Sequence, residues 1–137
     1  MMTTLALIYL IWCAALFLLQ GRMMFPRGFA GAPSEGPWDI DAVVLRHEFD
    51  PGRGVVAWLL LVPGASAESP RPLVVFFHGN AELIDQQRPI VDAYRALGRS
   101  VLLIEYRGYG HCDGKPSQRA IVPDTLVLID QALARDD

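Results

Sequence analysis

The sequence predicts an α/β chain: an antiparallel hairpin, then strand, helix, strand and helix, all behind one apolar amino-terminal helix. The apolar run Leu73–Phe77 lacks the alternation of a half-buried strand, which marks a strand covered on both faces, and Val101–Tyr106 reads as another buried strand. A helical stretch separates them, so the pair reads as parallel strands joined by a crossover. Each run ends in a glycine-containing motif, His78-Gly79-Asn80-Ala81 and Tyr106-Arg107-Gly108-Tyr109-Gly110, where open α/β sheets place their ligands.

The elements follow in chain order. No charge occurs from Thr3 to Gly21, and residues 3–21 are long enough for a helix to cross a bilayer core of about 30 Å. No Lys or Arg precedes the run, so it lacks the basic start of a signal peptide and reads as an uncleaved single-pass membrane anchor. Arg22 and Arg27 follow it, and the positive-inside tendency puts the remainder of the chain in the cytoplasm. Residues 22–39, rich in Gly, Pro and Ala, read as a linker, and residues 40–137 as a partial domain. Asp41–Phe49 and Val55–Val62 are strands joined by the turn Asp50-Pro51-Gly52-Arg53-Gly54, hence a hairpin. After the Leu73–Phe77 strand, a helix is expected over Glu82–Leu97, with Ile90, Tyr94 and Leu97 on one face. Pro89 should divide or kink it, and Gly98 should end it. The last helix opens at Pro116-Ser117 with Ser117 as its cap, and Val122, Leu126, Ile129 and Leu133 form its apolar stripe. Pro123 fits only if it lies in the first turn.

Composition removes several function classes. The net charge is −3, and eleven Arg and one Lys are dispersed along the chain, so no nucleic-acid partner is expected. Of the two cysteines, Cys13 lies in the apolar span and Cys112 in a polar loop, which gives neither a disulfide framework nor a metal-ligand spacing. No metal and no cofactor is expected. Gly108-x-Gly110-x-x-x-Gly114 has one residue too many for a dinucleotide fingerprint, and no Lys-Ser/Thr pair follows it.

The chemistry lies in the two motifs. Gly79 lets the backbone turn sharply after the strand, so that the N–H groups of Asn80 and Ala81 can point at a developing oxyanion, as acyl transfer requires. By itself a three-residue motif reads more readily as a strand-end turn with His78 as a hydrogen-bonded bystander. The second motif adds weight. Tyr106-Arg107-Gly108-Tyr109-Gly110, with Gly114, Pro116 and Ser117, resembles the pattern Tyr-Arg-Gly-Tyr-Gly-x-Ser-x-Gly-x-Pro-Ser of the α/β-hydrolase superfamily. That pattern occurs in its membrane-anchored subgroup of abhydrolase-domain serine hydrolases, whose strand-end motif reads His-Gly-Asn-Ala-Gly. The resemblance covers residues 41–137, the amino-terminal half of such a fold.

What the resemblance implies is an esterase or thioesterase scaffold. The backbone at Asn80 and Ala81 would form part of the oxyanion hole, with His78 and Gly79 at the strand end. Tyr106, Arg107, Gly108, Tyr109, Gly110 and Gly114 would be a structural loop beside it, braced by Arg107 and Asp113. Glu82 stands where the subgroup has Gly, and Cys112 where it has Ser. His111-Cys112-Asp113 invites a thiol nucleophile, but adjacent loop residues do not meet in attack geometry. No Gly-x-Ser-x-Gly elbow occurs. The nearest string, Gly64-Ala65-Ser66-Ala67-Glu68, reads as a loop. No nucleophile, acid or base is therefore assigned. The expectation is a truncated or partial serine hydrolase, inactive as this chain. The alternative is a non-catalytic membrane-tethered interaction module, which pairs with a complementing half or another copy through the open edge of strand 73–77.

Overall fold

The computed structural model describes residues 2–135. Its sheet has four strands in the order β1-β2-β4-β3, formed by Val43–Asp50 (β1), Arg53–Leu60 (β2), Leu73–Phe77 (β3) and Ser100–Ile104 (β4). Helices Met2–Met24 (α1), Arg88–Ala96 (α2) and Gln118–Leu133 (α3) complete the architecture. The hairpin is antiparallel with Val43 opposite Leu59 and His47 opposite Val55. Its turn uses Gly52 at φ +71°, where a side chain would be strained. β4 lies antiparallel to β2 and parallel to β3, so the two non-alternating runs are neighbours as expected. β4 is buried along its whole length, and β2 from Gly54 onward, which is why neither alternates. α3 packs on β1, β2 and β4, and α2 packs on β4.

Two helices differ from the sequence expectation. The residues from Glu82 do not begin a helix. Ile84–Gln86 form a single 3₁₀ turn, and α2 starts only at Arg88. Pro89 therefore opens α2 instead of kinking it, since an amide missing from the first turn costs no hydrogen bond. The delay has a physical cause: Leu83 and Ile84 are buried against the core, and the backbone between β3 and α2 is held by side chains, described below. In α3, Ser117 caps as expected, accepting from the Ala120 N–H at 3.2 Å. Pro123, however, is the sixth residue of the helix and lies past its first turn, which leaves the Arg119 carbonyl without its helical donor.

The face of α3 also differs. Ala120, Asp124, Thr125 and Leu128 are buried, whereas Val122, Leu126 and Leu133 of the expected stripe are more than half exposed. Apolar residues lie on more than one side of this helix, and periodicity could not tell which side the sheet covers. Asp124 decides it, because its carboxylate is needed inside. The outward residues Val122 and Leu126, with Ile129, which also packs against the core, instead flank Phe77 of the edge strand β3 in a groove of about 220 Å³.

α1 is apolar on all sides and packs none of its residues into the domain. It is long and apolar enough to cross a membrane. The chain that follows it lies against the domain. Ala30 is buried with Leu83 and Tyr109, and the Ala30 carbonyl accepts from Gln86 Nε2 at 3.0 Å. Ser34 hydrogen-bonds Asp85 through both its N–H and its hydroxyl. Beyond it, Trp38 packs edge-on against Trp58, and Asp39 pairs with Arg95. The Asp39 carboxyl is held below its usual range, chiefly by the Asp41 N–H and also by Arg95.

Candidate active site

β3 ends at Phe77, and the chain turns at once through His78 and Gly79. His78 is fully enclosed: its ring stacks on Tyr106 at 4.1 Å between centroids and tilts against Tyr109 at 5.5 Å. Its Nε2 lies 2.7 Å from Glu105 Oε1, and its Nδ1 lies 2.9 Å from the Gly79 carbonyl. Glu105, the residue after β4, is buried to 2 % exposure. The same carboxylate accepts from the Tyr106 N–H at 3.1 Å and the Ile84 N–H at 3.3 Å. One buried carboxylate thus ties the start of the strand-end loop, its far side and the second motif together. Tyr106 closes the bolt by donating from its hydroxyl to the His78 carbonyl at 2.9 Å. Burial pushes the Tyr106 phenol up to about 12, and burial raises Tyr109 as well.

The loop so held is exposed at Gly79 and Asn80. Ala81 sits at φ +59°, the one non-glycine left-handed residue among those described. Asn80 is exposed and Ala81 half-buried, and neither N–H has a hydrogen-bond partner among the described residues. Glu82 reaches back over this loop. Its Oε2 accepts from the Gly79 N–H at 2.9 Å and from Gln87 Nε2 at 3.2 Å. A side chain on Gly79 would press on this carboxylate at 3.3 Å.

The second motif is a braced turn. Gly110 lies so close to Glu105 that a Cβ there would fall 2.7 Å from Oε2; glycine is what admits the buried carboxylate. Gly108, at φ +76°, faces the Gly114 carbonyl, and its N–H donates to the Cys112 and Asp113 carbonyls. Arg107 and Asp113 each tie the loop to another element. Arg107 makes a forked pair with Asp124 of α3, Nε to Oδ2 at 2.6 Å and Nη2 to Oδ1 at 2.7 Å, and lies over the Phe49 ring at 3.6 Å. The hydrogen bond to Asp124 raises the Arg107 pKa further. Asp113 instead accepts from the Gly54 N–H at 3.0 Å, tying the loop to the hairpin.

Neither Cys112 nor Ser66 is placed as a nucleophile. Cys112 is buried, its Sγ accepts from the Val56 N–H at 3.2 Å, and burial pushes its thiol up to about 12, so it is a core residue. His111 turns away to the Ser34 carbonyl. Ser66 lies in an exposed loop, where its hydroxyl bonds Glu68 at 2.9 Å and receives the Ser69 N–H. No group of three or more His, Cys, Asp or Glu suited to a metal exists among the described residues. Sequence reasoning missed Glu105 and Asp124. The only signal for Glu105 was an acidic residue ending a strand otherwise wholly apolar, and nothing marked Asp124.

A parallel strand pair ending in a loop tied by buried polar groups is an α/β strand end of the kind that open sheets use for their sites. Comparison with known proteins agrees. The chain is 28 % identical over 123 residues to the Schizosaccharomyces pombe protein bem46, a match spanning 84 % of this chain and 40 % of that one. It is 26 % identical over 101 residues to the uncharacterized protein YfhR of Escherichia coli, covering 74 % of this chain and 35 % of YfhR. Over 65 residues it is 34 % identical to the lysophosphatidylserine lipase ABHD12 of Danio rerio, 46 % of this chain and 17 % of the lipase. Among solved structures, a soluble variant of monoglyceride lipase from Saccharomyces cerevisiae superposes with a TM-score of 0.51 at 17 % identity, over 72 % of this chain and 34 % of the lipase. No family model matches. The chain is a relative of the α/β-hydrolases, and spans 40 % or less of the length of these curated relatives.

Proposed function

We propose that this chain carries the oxyanion-stabilising part of a membrane-anchored serine hydrolase that cleaves acyl esters or thioesters, with α1 as a single-pass anchor and the domain on the cytoplasmic side. The observation that carries the reading is the pair of free N–H groups at Asn80 and Ala81, held at the end of β3 by the His78–Glu105 bolt. Donors fixed before the reaction stabilise an oxyanion without reorganising, and each is worth about 10²–10³ in rate. The sequence contains no Gly-x-Ser-x-Gly elbow, so the polypeptide by itself is proposed to be inactive.

The experiment has two arms. The chain alone should not react with a fluorophosphonate probe, and labelling of any serine in it would show that a nucleophile is present after all. Joined to the carboxyl-terminal portion of the fission-yeast relative, it should hydrolyse p-nitrophenyl acetate. Asn80→Pro, which deletes one N–H, should then slow turnover about a hundredfold, while Asn80→Ala should not. Equal rates for the two variants would remove Asn80 from the oxyanion hole.

One observation favours a second reading, in which the chain is a non-catalytic tethered module that accepts another strand along β3. β3 pairs only with β4 among the described residues, and Phe77 at its end is half exposed beside the Val122–Leu126 groove. A chain that stays unreactive in the fusion, but cross-links through residues introduced along β3, would favour it.

A further inference from the structure

A cavity of about 320 Å³ lies where α1 meets the glycine-rich loop, away from the strand-end site. Three cations line it, Arg22 and Arg27 from the end of α1 and beyond, and Lys115 from the loop after Gly114; no carboxylate does. Arg22 and Lys115 have no ion-pair or hydrogen-bond partner among the described residues, and Arg27 spends one N–H on the Gly114 carbonyl at 3.3 Å. The remaining lining is apolar: Leu18, one helical turn before Arg22 and on the same face of α1, with Phe25 and Pro116.

We propose that this cavity binds the phosphate of an acidic phospholipid headgroup. Three like charges brought to one concavity repel each other unless an anion sits among them, and guanidinium groups match phosphate oxygens in forked geometry. What selects a lipid over a free phosphate ion is the amphipathic order of the lining. Leu18 and the uncharged helix before it continue the cavity on one side, and the cations close the other. That is the order of acyl chain and headgroup in a leaflet, at the level where basic residues meet anionic lipid. This part rests on α1 lying in a membrane. The Arg27 guanidinium also crowds Gly108, where a Cβ would fall 2.5 Å from Nη1, so a bound headgroup would sit against the loop that braces the strand-end site.

The full chain in neutral detergent micelles would be titrated with dihexanoyl phosphatidic acid, dihexanoyl phosphatidylcholine and inorganic phosphate, with thermal stabilisation as the readout. Phosphatidic acid should bind tightest. The double variant Arg22→Gln/Lys115→Gln, which touches no hydrogen bond in the fold, should weaken it about twenty-five-fold, at about fivefold per charge removed. Equal binding of the two lipids, or no change in the variant, would overturn the site; inorganic phosphate binding as tightly as the lipid would overturn the lipid assignment. Flotation of the chain with vesicles of pure phosphatidylcholine tests α1 insertion separately, because it needs no anionic headgroup. Failure there would remove the membrane anchor while the micelle titration still decides the cavity.

Discussion

Replacing Glu105 by alanine should be among the most damaging single changes in the domain. The carboxylate is 2 % exposed and meets three polar groups: His78 Nε2 at 2.7 Å, the Tyr106 N–H at 3.1 Å and the Ile84 N–H at 3.3 Å. Each group left unpaired in the interior costs about 1–3 kcal/mol, and breaking a buried pair by removing one partner costs about 3–5 kcal/mol in all. A domain of this size has about 5–15 kcal/mol of stability in total and loses about 4–8 °C of Tm per kcal/mol, so Glu105→Ala should lower Tm by about 12–40 °C. Glu105→Gln separates charge from contact. Oriented to keep the oxygen facing His78 and Tyr106, its amide meets the Ile84 N–H donor to donor, at a cost of about 1–2 kcal/mol and a Tm loss of about 5–15 °C. Tryptophan fluorescence of the full chain in micelles, in a Trp12→Phe background, follows the domain through Trp38 and the buried Trp58. Exposed Glu48→Gln, expected within about 0.5 kcal/mol of the parent, sets the baseline. If Glu105→Ala melts with Glu48→Gln, the carboxylate does not hold the two motif loops together.

Arg107→Lys keeps the charge but loses the forked pair with Asp124 and the stacking on Phe49, and should cost about 1–2 kcal/mol in the same melting assay. Ala81→Gly should hold or raise Tm and Ala81→Val lower it, because the φ of +59° suits only a residue without a side chain; the reverse order would mean that the loop is not left-handed there. Stability should fall as pH rises from about 9 towards 12. Burial lifts the Cys112 thiol from 9.0 and the Tyr106 phenol from 10.0, both to about 12, so over that window the folded chain holds protons the unfolded chain has lost. Cys112→Ala should flatten the first part of that fall in Tm measured against pH. Iodoacetamide at pH 8 should leave Cys112 unmodified in the folded chain and modify it in denaturant, because the thiol is both buried and protonated.

The sequence by itself determined the sheet and the loop ends. The stretches Leu73–Phe77 and Val101–Tyr106 were legible as strands, Gly52 as a turn and Ser117 as a helix start, because strand and turn preferences act locally; β3, at the edge of the sheet, is only partly covered where the unbroken apolar run predicted cover on both faces. His78-Gly79-Asn80-Ala81 was likewise legible as a strand-end loop. What holds that loop was not legible, because its partners arrive from elsewhere in the chain: Glu105 from 27 residues on and Leu83–Tyr109–Ala30 from three segments. Only the tertiary structure decided that Pro89 begins a helix, that α3 turns Asp124 inward with Val122, Leu126 and Leu133 of its predicted stripe outward, and that Arg107 pairs with Asp124 while Asp113 takes the hairpin. For α3 and Arg107 the physical reason is the same, the burial of Asp124. A buried charge must find its partner wherever the fold brings one, and that requirement outweighs the weak periodic preference of a short helix for either of its faces.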